Sequence, residues 1–252
     1  MENGHHAESP ILERRQGVTL LVICFVGFFL SQLVAFQVAS LATNSIAHQG
    51  LTHFLDTHFE RPWWLTAAEM LGLWLGFAGL VALTWKVVRP VLSTDFFKVH
   101  WRDLKFLPLG VLLQALIGAL YYPFHIESTG DPVKQVVGHN PTYGMLVIML
   151  FVGLGAPFIE ELLFRGVILQ SMSAIVSPRI RMLAAGLIPA LLTGVVFGAA
   201  HGELVQLAGL TLVGTILAVV VQRQRRIAPA IFTHAGFNLI ALSVAWASVA
   251  VK

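Results

Sequence analysis

The chain has 252 residues, 56% of them hydrophobic and 12% charged, where an ordinary soluble domain carries about a quarter charged residues. With a mean hydropathy of +0.77 it lacks the charge to keep a body of this size in water, which excludes a soluble globular fold and makes lipid the solvent for most of it. A formal charge of +3 and a pI near 9.3 do not indicate nucleic-acid binding, because the basic residues sit in separate short loops and form no single patch.

About 20 apolar residues at 1.5 Å rise each cross the hydrocarbon core. Seven runs qualify, at 18–42, 62–85, 106–124, 142–176, 184–201, 204–221 and 228–251, predicting an all-α polytopic bundle of seven transmembrane helices. The first follows Arg14 and Arg15 and is 25 residues long, against about 7–15 for a signal-peptide core, so it reads as a retained helix despite a cleavage-like Ser40-Leu41-Ala42. It holds Cys24, the only cysteine, so no internal disulfide is possible.

Leu51–Glu60 reads as a solvated loop, a weaker candidate for an amphipathic segment. The second run opens at Pro62, where a first helical turn tolerates proline. Trp63 and Trp64 there, and Tyr121 and Tyr122 at the end of the third, suit an aromatic belt. Between these two runs, Val91–Lys105 mixes Phe96, Phe97, Val99 and Trp101 with Asp95, Lys98, His100 and Arg102. It reads as a solvated loop with the composition of a short amphipathic surface helix. The fourth run is too long for one span, and Gly153, Gly155 and Pro157 predict a kink in it. The fifth and sixth are joined by little more than Gly202-Glu203, a tight helical hairpin. The seventh has Pro229 in its first turn.

Orientation follows from Lys and Arg in the loops. With the N-terminus inside, the inner segments hold twelve (Arg14, Arg15, Lys86, Arg89, Lys98, Arg102, Lys105, Arg179, Arg181, Arg223, Arg225 and Arg226) and the outer ones three (Arg61, Lys134 and Lys252). The expectation is N-terminus in and C-terminus out, in the plasma membrane of a prokaryote. Residues 1–140 then form three helices without a motif, and residues 141–252 a four-helix core.

Ionisable groups inside a membrane cost about 2.5–3.5 kcal/mol each on insertion scales, so their positions are the functional signal. In the first three runs only Glu69 is ionisable, and it reads as reaching for water near a helix end. Gln32, Gln37 and Gln114 read as interhelical hydrogen bonders. The fourth run contains Glu160-Glu161-Leu162-Leu163-Phe164-Arg165. Successive residues differ by 100° on a helix, so the two glutamates cannot share a face. Glu161 and Arg165, four apart, form a structural ion pair, and Glu160 turns toward a neighbouring helix. The fifth run ends Phe197-Gly198-Ala199-Ala200-His201. The seventh carries His234 and Asn238, four apart on one face, able to donate two hydrogen bonds to one oxygen. Small residues nearby (Gly166, Gly198, Ala199, Ala200, Gly236) would let helices approach closely.

Together these three motifs, each in its own apolar run, resemble the CPBP family of CAAX-protease and bacteriocin-processing membrane peptidases, which includes the type II CAAX prenyl endopeptidases. The resemblance covers roughly residues 141–245. It implies an intramembrane endopeptidase acting on a membrane-associated protein, a prenylated CAAX-type one among them, or on a small peptide. It implies Glu160, with His201, as activator of the attacking water, and His234 with Asn238 as the oxyanion site. Phe197 supports the motif. No serine or cysteine nucleophile accompanies these groups, so no acyl-enzyme is expected.

Family members are often described as metalloproteases. Zinc on Glu160, His201 and His234 is the alternative to a metal-free mechanism, the expectation here being no cofactor. Two other function classes compete: a transporter or proton relay, and a non-catalytic scaffold or immunity protein that keeps the motifs. In the expected topology His201 lies near the outer end of its helix and His234 near the inner end of its own. A shared site would need tilt, a deeper fifth helix or a re-entrant fourth segment.

Overall fold

In the computed structural model, residues 12–58, 61–124, 132–138, 140–176 and 186–250 are described, and they are helical or irregular throughout. The elements are α1 (Arg14–Ile46), α2 (Leu51–Thr57), α3 (Trp63–Val88), α4 (Leu107–Tyr121), α5 (Pro132–Val137), α6 (Thr142–Ile175), α7 (Leu187–Ala200), α8 (Leu207–Gln224) and α9 (Ala228–Ala250). Six apolar helical stretches are long enough to span a bilayer: Arg14–Ile46, Trp63–Val91, Trp101–Tyr121, Thr142–Ile175, Leu207–Gln224 and Ala228–Val249. Helix α7 has 14 residues and so spans about 21 Å, less than the roughly 30 Å core. The expected fifth span, 184–201, is thus a short helix. Residues 184 and 185 of that expected run lie outside the described residues, as do Arg179, Arg181 and Lys252 of the charge argument.

The outer surface is apolar, as lipid contact requires. On α1, Phe25 is 67% and Leu33 60% exposed, and on α4 Leu112 is 65% exposed. The tightest packing is internal. Helix α1 lies along α3 and against the last turns of α6, α4 lies along α9, and α7 pairs with α8. Gly110 and Gly236 make the α4–α9 crossing possible. A Cβ on Gly110 would strike the Thr233 carbonyl and the Phe237 amide, and one on Gly236 the Leu107 carbonyl.

Helix α6 departs most from ideal geometry. It is continuous, but π-helical over Met149–Gly155 and again over Leu162–Ile168. The first wide turn is where Gly153, Gly155 and Pro157 predict a kink, and proline explains it. Pro157 lacks an N–H and its ring crowds the carbonyl four residues back. Widening the register relieves the crowding, and the Ala156 N–H bonds the Phe151 carbonyl, five residues back. The next bond in that register would join Val152 to residue 157, which has no hydrogen to give. Val152 is therefore left with a free carbonyl inside an apolar bundle.

Several expectations are corrected. Glu69 pairs with Arg61, 2.6 Å away, because the Arg61 side chain reaches back from the loop before α3. Val91–Lys105 is a loop, as expected, and not an amphipathic α-helix. It is bends and turns that close on a 3₁₀ turn at Trp101–Phe106. In the Leu51–Glu60 stretch α2 is helical, and residues 59 and 60 lie outside the described residues. The α7–α8 connection is a loop over 201–206, longer than Gly202-Glu203, so the sixth run begins at Leu207 and extends to Gln224. Gln32 and Gln37 are exposed on α1, and the buried Gln114 Oε1 has no hydrogen-bond partner, so none of the three makes the expected interhelical bond. Nothing approaches the Gly166 position within 4 Å, so Gly166 is not a close-packing glycine.

Candidate active site

The ionisable groups of α6 and α9 meet around the ring of Phe197 from α7. Arg165 and Glu161 are both fully buried, and Arg165 Nη1 donates to Glu161 Oε1 at 2.8 Å. Arg165 Nη2 donates to the Gly214 carbonyl of α8 at 3.0 Å. That reach depends on the close approach of α7 to α8, where a Cβ on Gly214 would lie 2.9 Å from the Gly194 Cα and from the Phe197 Cβ. The guanidinium stands over two aromatic faces, 4.9 Å from the Phe197 centroid and 5.7 Å from that of Phe164. Its charge is thus met by a carboxylate, a carbonyl and two rings, as a cation without water requires.

His234 joins the same cluster from α9. Its Nδ1 lies 3.0 Å from Glu161 Oε1 and its Nε2 3.8 Å from Glu160 Oε2. A carboxylate only accepts, so the Nδ1 proton belongs on the bond to Glu161, which fixes the ring with Nε2 turned to Glu160. Glu161 Oε1 thus receives two donors. Glu161 Oε2, Arg165 Nε and Glu160 Oε2 are buried with no hydrogen-bond partner. The two glutamates differ in access: the Glu161 side chain is 0% exposed and that of Glu160 15%. Glu161 is enclosed and occupied, whereas Glu160 is reachable and uncommitted.

Asn238, one turn beyond His234, donates from Nδ2 to the Val152 carbonyl at 2.9 Å. This is the carbonyl that the π-helical turn and Pro157 leave free, so α9 is fastened to the break in α6. The amide nitrogen carries a second hydrogen that this bond does not use.

His201 caps the end of α7, with Nδ1 2.8 Å from the Phe197 carbonyl. Its ring packs on Phe197 at 4.8 Å between centroids, and Phe197 packs on His234 at 5.5 Å. Phe197 therefore stands between the two histidines. It reconciles the depths that the topology argument set apart: α7 is short, His201 ends it, and a single phenyl ring reaches both imidazoles. His201 contacts the cluster through Phe197 and makes its hydrogen bond to its own helix, not to a glutamate.

Among the described residues no group of three or more His, Cys, Asp or Glu is placed to hold a metal ion, and Glu160, His201 and His234 do not form one. The Nδ1 atoms of the two histidines face the Phe197 carbonyl and Glu161.

Three participants escape a reading of the sequence. The Gly214 carbonyl has no side-chain signature. Phe164 looks like any apolar residue of the run. The Val152 carbonyl is signalled only through Pro157, five residues on, and only once a π register is considered.

Residues 142–240 match the family described as Type II CAAX prenyl endopeptidase Rce1-like. The match runs from the first turn of α6 into α9 and includes all three motifs. No curated protein and no solved structure matches the chain.

Proposed function

We infer that the chain is a membrane protease, from the match of residues 142–240 to the Rce1-like type II CAAX prenyl endopeptidase family. The finer reading is an intramembrane endopeptidase that hydrolyses a peptide bond in a membrane-associated protein, of prenylated CAAX type, or in a small peptide. Glu160, with His201, activates the water. The observation that carries this reading is the sorting of two adjacent glutamates: the Glu161 side chain is 0% exposed and holds Arg165 and His234 on one oxygen, whereas that of Glu160 is 15% exposed and makes no hydrogen bond among the described residues. Both glutamates keep an oxygen without a partner, and only that of the partly exposed side chain can be met by a substrate or a water.

In this reading Glu160 takes a proton from water as its oxygen attacks the carbonyl carbon. The tetrahedral oxyanion is met by His234 Nε2, in the ring's doubly protonated form, and by the second Nδ2 hydrogen of Asn238. The carbon–nitrogen bond breaks as Glu160 returns the proton to the leaving amine. Glu161 and Arg165 do not touch substrate. They set the ring of His234 and the rotation of α6. Because Glu160, His201 and His234 do not meet as a ligand set, no metal enters this scheme.

The test is cleavage of a peptide library, prenylated and unprenylated, by the purified full chain with and without chelator. Defined cleavage products that survive chelation are expected. Absence of any product would remove the peptidase reading, and loss of product on chelation would remove the metal-free mechanism.

The orientation is proposed on the same footing: seven crossings, the short α7 included, N-terminus cytoplasmic and C-terminus outside, from the twelve-to-three bias of Lys and Arg. Cysteine labelling is expected to reach Gln222→Cys only from the cytoplasmic side and Ser128→Cys only from the outer side. The reverse pattern would overturn it.

A further inference from the structure

The segment between α3 and α4 closes on the 3₁₀ turn Trp101–Phe106. Such a turn has three residues per repeat, so side chains at i and i+3 eclipse and six residues make three faces. Trp101 and Leu104, 79% and 51% exposed, share the first. Arg102 and Lys105, both exposed, share the second. The third holds Asp103, which is buried.

Asp103 ties the turn down. Its carboxylate accepts from the His100 N–H at 2.8 Å and from both Nη atoms of Arg226 at 2.7 and 2.8 Å. The one acid of the turn is thereby consumed. The other nearby acid, Asp95, is taken by Lys98 at 2.7 Å. Arg102 and Lys105 make no ion pair among the described residues. Their cations lie instead beside rings, Arg102 5.6 Å from the centroid of Trp101 and Lys105 5.4 Å from that of Phe106. The turn opens the apolar stretch Trp101–Tyr121, which sets it at the membrane boundary.

We propose that this turn is a binding site for an anionic phospholipid headgroup, with Arg102 and Lys105 on the phosphate and Trp101 and Leu104 among the upper acyl chains. Charge complementarity selects this occupant. Two unpaired cations beside two exposed apolar side chains match a phosphate ester joined to hydrocarbon. A soluble anion would leave Trp101 and Leu104 without a partner. The guanidinium of Arg102 can grip two phosphate oxygens at once, and each Lys or Arg near an anionic lipid surface gives roughly a five-fold gain in binding. The site is independent of the reaction at Glu160.

The experiment is native mass spectrometry of the purified full chain in detergent, titrated with phosphatidylglycerol and phosphatidylcholine of identical acyl chains. The parent retains phosphatidylglycerol in preference. R102Q/K105Q loses roughly 25-fold of that preference while melting at the parent's temperature, since both side chains are exposed. R14Q/R15Q, an equal loss of charge elsewhere, keeps it. Equal retention of the two lipids by the parent, an unchanged preference in R102Q/K105Q, or an equal loss in R14Q/R15Q would each overturn the proposal.

Discussion

The two halves of the bundle each carry an ion pair between an arginine and a glutamate of an apolar helix, and the pairs have nearly the same length. In the first half Arg61 and Glu69 meet at 2.6 Å with side chains 34% and 23% exposed. In the second Arg165 and Glu161 meet at 2.8 Å with both at 0%. Separation does not distinguish them; surroundings do. The first pair lies at the first turns of α3 and has no third member among the described residues. The second is enclosed by Phe164, Phe197 and Gly214 and is extended by His234 to Glu160. A buried charge that also recruits a histidine from another helix is what an active site requires, whereas a charge that neutralises its neighbour at a helix end is what insertion requires. A proton relay would need ionisable groups threaded through several helices, and the apolar runs 18–42, 62–85 and 106–124 hold Glu69 as their only Asp, Glu, His, Lys or Arg.

This contrast can be broken by truncating each pair. Arg165→Ala leaves the fully buried Glu161 with His234 alone and no cation, and is expected to cost about 3–5 kcal/mol. Arg61→Ala leaves Glu69 near solvent and is expected to cost about 0–1 kcal/mol. Thermal melts of the purified variants in detergent check both. Equal costs would mean that burial does not separate the two pairs.

The contrast can be sharpened within the second half. His234→Ala and Asn238→Ala are expected to lower turnover roughly 10²–10³-fold each, as lost oxyanion donors do. Asn238→Ala should also destabilise by about 1–3 kcal/mol, because the Val152 carbonyl loses its donor. In a Pro157→Ala background residue 157 regains an N–H that can take that carbonyl, so the stability cost of Asn238→Ala should shrink while its effect on turnover persists. A stability cost equal in both backgrounds would disprove the link between Pro157 and Asn238.

The helical path was legible from hydropathy, because burial in lipid leaves a long apolar run wherever a helix crosses. Four-residue spacing was enough to bring Glu161 to Arg165, since one helical turn decides it. Contacts between helices were not legible in this way. Nothing local in Asp103 points to Arg226, 123 residues on, and helix depth cannot be counted from a run of apolar letters when α7 is short. The apparent conflict between His201 and His234 arose from that counting, and Phe197, already part of the motif, resolves it by touching both. The oxyanion pair was implied by the family resemblance, with four-residue spacing placing both side chains on one face, and neither reveals that His234 has Glu161 on one side and that Asn238 has the Val152 carbonyl.

The central claim is that of two neighbouring glutamates Glu160 is the base and Glu161 the support. Glu160→Gln keeps size and hydrogen bonding but removes the proton acceptor. The most direct measurement is the rate of cleavage of a fluorogenic peptide by parent and Glu160→Gln protein, matched for folded amount. A loss of at least about 10²–10⁴-fold at an unchanged melting temperature is the predicted result. Equal rates in the two would contradict the account.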